Sequence, residues 1–99
     1  MKYSIGQKIY YTGDMANHSG WFKITGFKEA GPYNPNMYAL TEINGDRVFG
    51  GVFEIGISDK YDGRGGIRFI TEEAYKAYRE KQLQVLYESI NKRRENTRI

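Results

Sequence analysis

Residues 37–55 constrain the fold more than any other stretch of this chain. Two runs of strand-forming residues are joined there by Asn44-Gly45, the pair that best suits a two-residue type I′ turn. A two-residue connection fixes the register, so that Leu40 faces Phe49, Thr41 faces Val48, Glu42 faces Arg47 and Ile43 faces Asp46. Side chains alternate along a strand, which collects Tyr38, Leu40, Phe49 and Phe53 on one core face, closed near the turn by the opposite charges of Glu42 and Arg47. Gly50-Gly51 would weaken a flat strand, but it permits the sharp bend by which one strand serves two sides of a small barrel.

The stretches before the hairpin repeat the same grammar. Residues 5–12 alternate, with Ile9 and Tyr11 on the inward face and Lys8 outward. Residues 21–27 form a second run in which Phe22 and Ile24 face the core and Trp21, Lys23 and Thr25 face away, with Gly26 marking a bulge. Between these runs lies a turn rich in small and polar residues, from Gly13 to Gly20. Gly31-Pro32 and Asn34-Pro35 mark a second loop, because a residue before proline avoids the helical region. Residues 56–66 read as a third loop, very flexible over 62–66, and 67–70 as a short last strand.

Thr71 then opens a helix. It is a good N-cap, followed by Glu72 and Glu73 where the helix dipole favours anions, with Ile70 and Tyr75 in the positions of a hydrophobic staple. Tyr75, Tyr78, Gln82, Leu86 and Ile90 keep helical spacing, widened by Leu83 and Tyr87. About 20–25 helical residues are expected. At ~1.5 Å per residue such a helix outruns a five-strand barrel, so its first half should pack and its second half project. The expected fold is mainly β with one helix: a small five-stranded antiparallel barrel, SH3-like, over 1–70, and a long C-terminal α-helix with a basic tail over 71–99, in one domain.

Composition narrows the chemistry. There is no cysteine, which excludes disulfides and thiolate metal sites and fits a reducing, cytoplasmic setting. No apolar run approaches a membrane span, and the first residues carry no signal-peptide pattern, so no membrane partner is expected. The net charge of +3 comes from the tail, where Lys92, Arg93, Arg94 and Arg98 outnumber Glu95; residues 1–90 hold 11 basic and 11 acidic side chains. Aromatics make up 15% of the chain and must supply much of the core.

The order of strand, glycine-containing loop and strand over residues 5–57 resembles the start of KOW- and Tudor-type barrels. The words Tyr11-Thr12-Gly13-Asp14-Met15-Ala16-Asn17, followed by Gly20, and later Asn44-Gly45-Asp46-Arg47-Val48-Phe49, resemble small proteins and modules carried by bacterial plasmids and phages. That resemblance implies a mobile-element accessory protein and brings no chemistry with it.

Asp14, Asn17 and His18 are the first candidates for a site, since the only His and the only Trp fall within four residues of each other. One His without Cys supplies too few strong ligands for a metal, and the loop lacks calcium-loop spacing, so no metal or cofactor is expected. His18 beside Ser19 is not a triad, and Gly63-Arg64-Gly65-Gly66 leads into a strand rather than a helix, unlike a phosphate cradle. The aromatics speak louder. Tyr10 and Trp21 lie opposite the expected core, Tyr33 and Tyr61 lie in loops, and such residues are enriched in interfaces. The expected function is therefore a non-catalytic interaction module that binds a host or cognate protein, as an inhibitor in one version, with a homodimer through the helix as a further option. Its contact residues would be Tyr10, Asp14, Asn17, His18, Trp21, Lys23, Tyr33 and Tyr61. The alternative is nucleic-acid binding, with Tyr10, Trp21 and Lys23 joined by Lys92, Arg93, Arg94 and Arg98.

Overall fold

The computed structural model of the protein describes residues 1–96, and side chains as far as Lys92. Six strands form one sheet: β1 (Lys8–Tyr11), β2 (Gly20–Lys28), β3 (Met37–Glu42), β4 (Val48–Phe53), β5 (Ile57–Ser58) and β6 (Phe69–Thr71), followed by α1 (Glu72–Asn96). Their order across the sheet is β4-β3-β2-β1-β6-β5. Every neighbouring pair is antiparallel except β5 and β6, which run parallel. The expected five antiparallel strands are thus corrected to six in a mixed sheet. The additional strand lies inside what reads as a loop, because a two-residue strand leaves no alternation to detect.

The sheet curls into a half-barrel. Across the interior Phe49 of edge strand β4 meets Phe69 of β6, edge to face with ring centroids 5.3 Å apart. Around them Ile9, Tyr11, Phe22, Ile24, Tyr38, Leu40, Val52 and Ile57 are buried on the concave side. The alternation of β1 and β2 holds as expected, and the β2–β3 register shifts between Ile24 and Gly26, at the expected bulge.

The hairpin keeps its register, with Leu40 opposite Phe49 and Thr41 opposite Val48. Two details differ. Neither Asn44 nor Gly45 has a positive φ, so the connection is not the type I′ turn that the pair suggests. Instead the Glu42 N–H donates to the Arg47 carbonyl at 2.8 Å, and the Ile43 N–H turns away to the Trp21 carbonyl at 3.0 Å. Further along, Tyr38 pairs with Val52 although Leu40 pairs with Phe49, so Gly50-Gly51 carries one extra residue. That bulge flips the alternation: Val52 is 7% exposed and in the core, while Phe53, expected there, is 47% exposed.

An N-terminal arm seals one end. The buried Tyr38 hydroxyl accepts the N–H groups of Lys2 and Tyr3 at 3.1 and 3.0 Å and donates to Glu54 Oε2 at 2.5 Å, while the Tyr3 hydroxyl donates to the Ile57 carbonyl.

The helix starts where the capping signal places it, with Thr71 Oγ1 accepting the Ala74 N–H at 3.2 Å. Its first two turns pack on the convex side of β1 and β6, over a second small core of Ile70, Ala74, Tyr10, Trp21 and Tyr75. From Arg79 to Lys92 every residue is exposed. The helix therefore leaves the sheet, and the molecule is 67 Å long but only 26 × 24 Å across. Among the described residues, no helix is long and apolar enough to cross a membrane.

Candidate functional site

The Gly13–Gly20 turn is built around Asp14. Gly13 turns the chain with φ +89, and the Asp14 N–H then donates to the Asn17 carbonyl at 2.8 Å. The carboxylate takes every donor in reach. Oδ1 accepts the N–H groups of Ala16 and Asn17, both at 2.8 Å; Oδ2 accepts the Tyr11 hydroxyl at 2.5 Å and Arg68 Nη1 at 3.0 Å. The Tyr11 hydroxyl, then these backbone N–H groups, hold Asp14 down at about 2. A carboxylate so fully used is a poor general base and a poor ligand; it fastens the turn to Tyr11 of β1 and to Arg68, just before β6. Burial and the same bond push the Tyr11 hydroxyl up, so it remains the donor.

His18 and Asn17 are exposed on this turn. The His18 carbonyl, not its ring, is engaged: it accepts Arg47 Nη1 at 2.7 Å. Arg47 also holds Glu42 through Nε and Nη2 at 3.0 and 2.7 Å, and its guanidinium lies 5.2 Å from the Phe22 ring centroid. The expected Glu42–Arg47 pair thus forms, and it ties the turn to the hairpin. Among the described residues, no group of three His, Cys, Asp or Glu is arranged to hold a metal ion.

The aromatics fall into three places. Tyr10 and Trp21 do face away from the concave core, as alternation requires, but the helix covers them. Tyr75 lies with its ring centroid 4.5 Å from Tyr10 and 4.9 Å from Trp21, and Tyr10 and Trp21 touch each other at 5.0 Å. All three are half-buried. Tyr61 packs edge to face on Tyr78 of the helix at 4.8 Å. Tyr33 stands alone at 95% exposure on the loop after β2. Tyr33 therefore does not join Trp21 and Tyr61 in one pocket.

Lys23 is exposed on the convex face directly opposite Lys8 of β1, and Lys92 is exposed near the end of the helix. Arg93 and Arg94 belong to the same helix with side chains outside the described part, and Arg98 lies outside the described residues.

Several concave surfaces remain, two of them of about 500 Å³. One, about 510 Å³, opens between β4 and β6 and is lined by Phe49, Gly50, Gly51, Phe53, Phe69 and Arg68. The other, about 520 Å³, lies under the overhanging helix between Asp62, Tyr78, Gln82, Val85, Leu86 and Ser89. Above it Leu83, Leu86, Tyr87 and Ile90 are 38% to 66% exposed, a run of large apolar side chains left uncovered by the described residues. This surface is absent from the contact residues expected from sequence. Its signal was the mismatch between helix length and barrel size, which says that part of the helix projects without saying which face it offers.

Comparison with known proteins leaves this geometry to speak for itself: no family model, no curated protein and no solved structure matches the chain.

Proposed function

We propose that the protein is a non-catalytic interaction module whose principal contact with a protein partner is the projecting half of α1. One observation carries this reading: Leu83, Leu86, Tyr87 and Ile90 stand exposed in helical register on a segment that leaves the sheet. Large apolar side chains clustered at the surface mark association sites, and an amphipathic helix laid against a partner is a recurrent recognition mode. The half-barrel serves as the rigid body that holds the helix at its base through Tyr10, Trp21 and Tyr75. The Gly13–Gly20 turn, with Asn17 and His18 exposed, and Tyr33 provide secondary contacts. The accessory role suggested by the resemblance to plasmid- and phage-borne proteins suits a module of this kind, and so does a host-protein target.

The test is a capture experiment from host lysate with the intact chain and with Leu86→Glu. A protein retained by the first and released by the second supports the reading; equal capture by both removes the helix from it. Binding of DNA or RNA with a log-linear fall of affinity in salt, lost on Lys8→Glu and Lys23→Glu, would replace it by the nucleic-acid reading, since those two lysines face each other on the convex surface.

A further inference from the structure

We infer that the slot between β4 and β6 takes an extended apolar segment of a protein partner, added as a strand antiparallel to both and ending in a carboxylate beside Arg68. The site is independent of the helix face. β4 is an edge of the sheet, and from Val48 to Phe53 it holds neither a charge nor a proline, the usual protections of an edge. Only the glycine bulge interrupts it, and a Cβ added at Gly50 would meet nothing within 4 Å. The backbone of this edge is half used. The Glu42 N–H bonds to the Arg47 carbonyl and the Glu54 N–H to the Asn36 carbonyl, at 2.8 and 2.9 Å. Bonds to one neighbour alternate along an antiparallel pair. Arg47 and Phe49 therefore turn their polar groups to β3 on one side of the bulge, and Val52 and Glu54 do so on the other. The N–H groups of Val48 and Phe53 point the opposite way, where no strand lies.

The far wall decides the occupant. β6 is antiparallel to β1, and β4 is reached from β1 through three antiparallel pairs, so β4 and β6 run in the same direction. Two such strands facing each other leave a place for one antiparallel strand between them. A whole sheet, such as that of a second copy, would meet the wall of Arg68 and Phe69. At about 510 Å³ the slot is within the range of ligand clefts. Its floor is the Phe49–Phe69 contact, which suits apolar side chains on the inner face of an added strand. On the outer face Val48 and Phe53, 62% and 47% exposed, would flank it. The turn Glu54–Gly56 closes one end of the slot, and the other opens at Asp14 and Arg68. β4 runs from the open end to the closed one, so a strand antiparallel to it ends at the open end. There Arg68 gives only Nη1 to Asp14, at 3.0 Å, and its Nε and Nη2 form no hydrogen bond among the described residues. The Asp14 charge is met by the Tyr11 hydroxyl and the Ala16 and Asn17 N–H groups as well. A carboxylate closing the added strand would satisfy the remaining donors of the guanidinium.

Fluorescence anisotropy with a labelled hexapeptide of alternating threonine and valine that ends in glutamate tests the inference, together with amide exchange of the intact chain. Saturable binding is expected. Methylating alternate peptide nitrogens removes donors and keeps every side chain, and should weaken binding about tenfold or more. Glutamine in place of the glutamate should weaken binding about threefold in the natural chain and not in Arg68→Gln, whose unchanged circular dichroism shows that the fold survives. Exchange of the Val48 and Phe53 amides should slow in saturating peptide, while that of residues 83–90 stays as it was. Leu86→Glu should bind the peptide like the natural chain. No saturable binding up to about 1 mM, equal affinity for the methylated peptide, or a glutamate preference that survives Arg68→Gln would each overturn the inference. Protection of Val48 and Phe53 that grows with protein concentration in the absence of peptide would assign the edge to a second copy and overturn it too. Peptide binding lost in Leu86→Glu would move the peptide to the helix, overturning this site and leaving the interaction module standing.

Discussion

The ring of Tyr75 stands edge-on to the indole of Trp21, centroids 4.9 Å apart and planes at 77°, and this contact fixes the helix to the convex side of the sheet. Tyr10 completes the cluster, packed on both. Tyr75→Ala should therefore cost about 1–3 kcal/mol, less than a fully buried aromatic because the ring is half-exposed. Trp21 is the only tryptophan, so its emission should also shift to the red as the helix lifts. An unchanged emission maximum and melting temperature would mean that Tyr75 does not hold the helix.

Acid should loosen the Gly13–Gly20 turn in a defined window. The folded-state value of Asp14, about 2, lies below its ordinary 3.8, so the folded chain binds fewer protons there than the unfolded one. The contribution of Asp14 is complete above pH 3.8 and is lost as pH falls toward 2. Glu42 and Glu54 are held down in the same direction, by Arg47 and by the Tyr38 hydroxyl, and add to the same slope. Asp14→Asn separates them: urea denaturation of the variant should show a smaller loss of stability than the natural chain between pH 4 and 2. Parallel curves for the two chains would refute the role given to this carboxylate.

Much of the architecture is legible in the residues. Ile9, Tyr11, Phe22, Ile24, Tyr38 and Leu40 are buried where alternation puts them, Leu40 faces Phe49, and Thr71 caps the helix. What resists reading depends on long-range geometry. Alternation says that Trp21 faces away from Phe22, not that a helix starting 50 residues later will cover it. A one-residue bulge at Gly50-Gly51 reverses every face assignment after it, which exchanges Val52 for Phe53. The Asn44-Gly45 preference yields to the Ile43–Trp21 hydrogen bond and to the carboxylate of Glu42 lying over Gly45. The candidate turn was visible as a concentration of polar residues, but the partner that exhausts Asp14, Arg68, lies 54 positions away.

Tyr38 is the residue whose smallest change should be felt farthest. Its hydroxyl serves three groups at once, two of them N–H groups of the N-terminal arm. Tyr38→Phe keeps the ring but leaves the buried Tyr3 N–H without its acceptor, a loss of about 1–3 kcal/mol. Amide exchange of residues 2–4 should accelerate more than that of β2. If the arm keeps its protection, its anchor is elsewhere.

Gly63 couples the long loop to the helix. It has φ +88, and an added Cβ would lie 2.8 Å from the Tyr78 hydroxyl oxygen and 2.9 Å from the ring. Gly63→Ala thus meets both an unfavourable backbone region and a packed aromatic, and should lower stability by about 1–3 kcal/mol. Tyr61 lies against the same ring, so Tyr78→Ala should release both at once and relieve most of the steric part in a double variant. Additive losses in that cycle would show that Tyr78 is not the obstacle.

The helix changes its physical situation at Arg79. Up to Tyr78 it is held by the sheet and by Tyr61 of the long loop, and beyond it every residue to Lys92 is exposed. Isolated helices of about 12–15 residues are marginal in water, since propagation barely repays nucleation. Here nucleation is supplied by the packed first turns, so the projecting part can persist, but its amides have no tertiary contact to slow their opening. Hydrogen exchange should therefore show residues 72–78 well protected and residues 83–92 weakly protected in dilute solution. Protection of 83–92 should rise when a captured partner protein is bound to the natural chain and stay low in Leu86→Glu, because only association buries that segment. Strong protection of 83–92 at every dilution would mean that the projecting helix needs no partner to be stable.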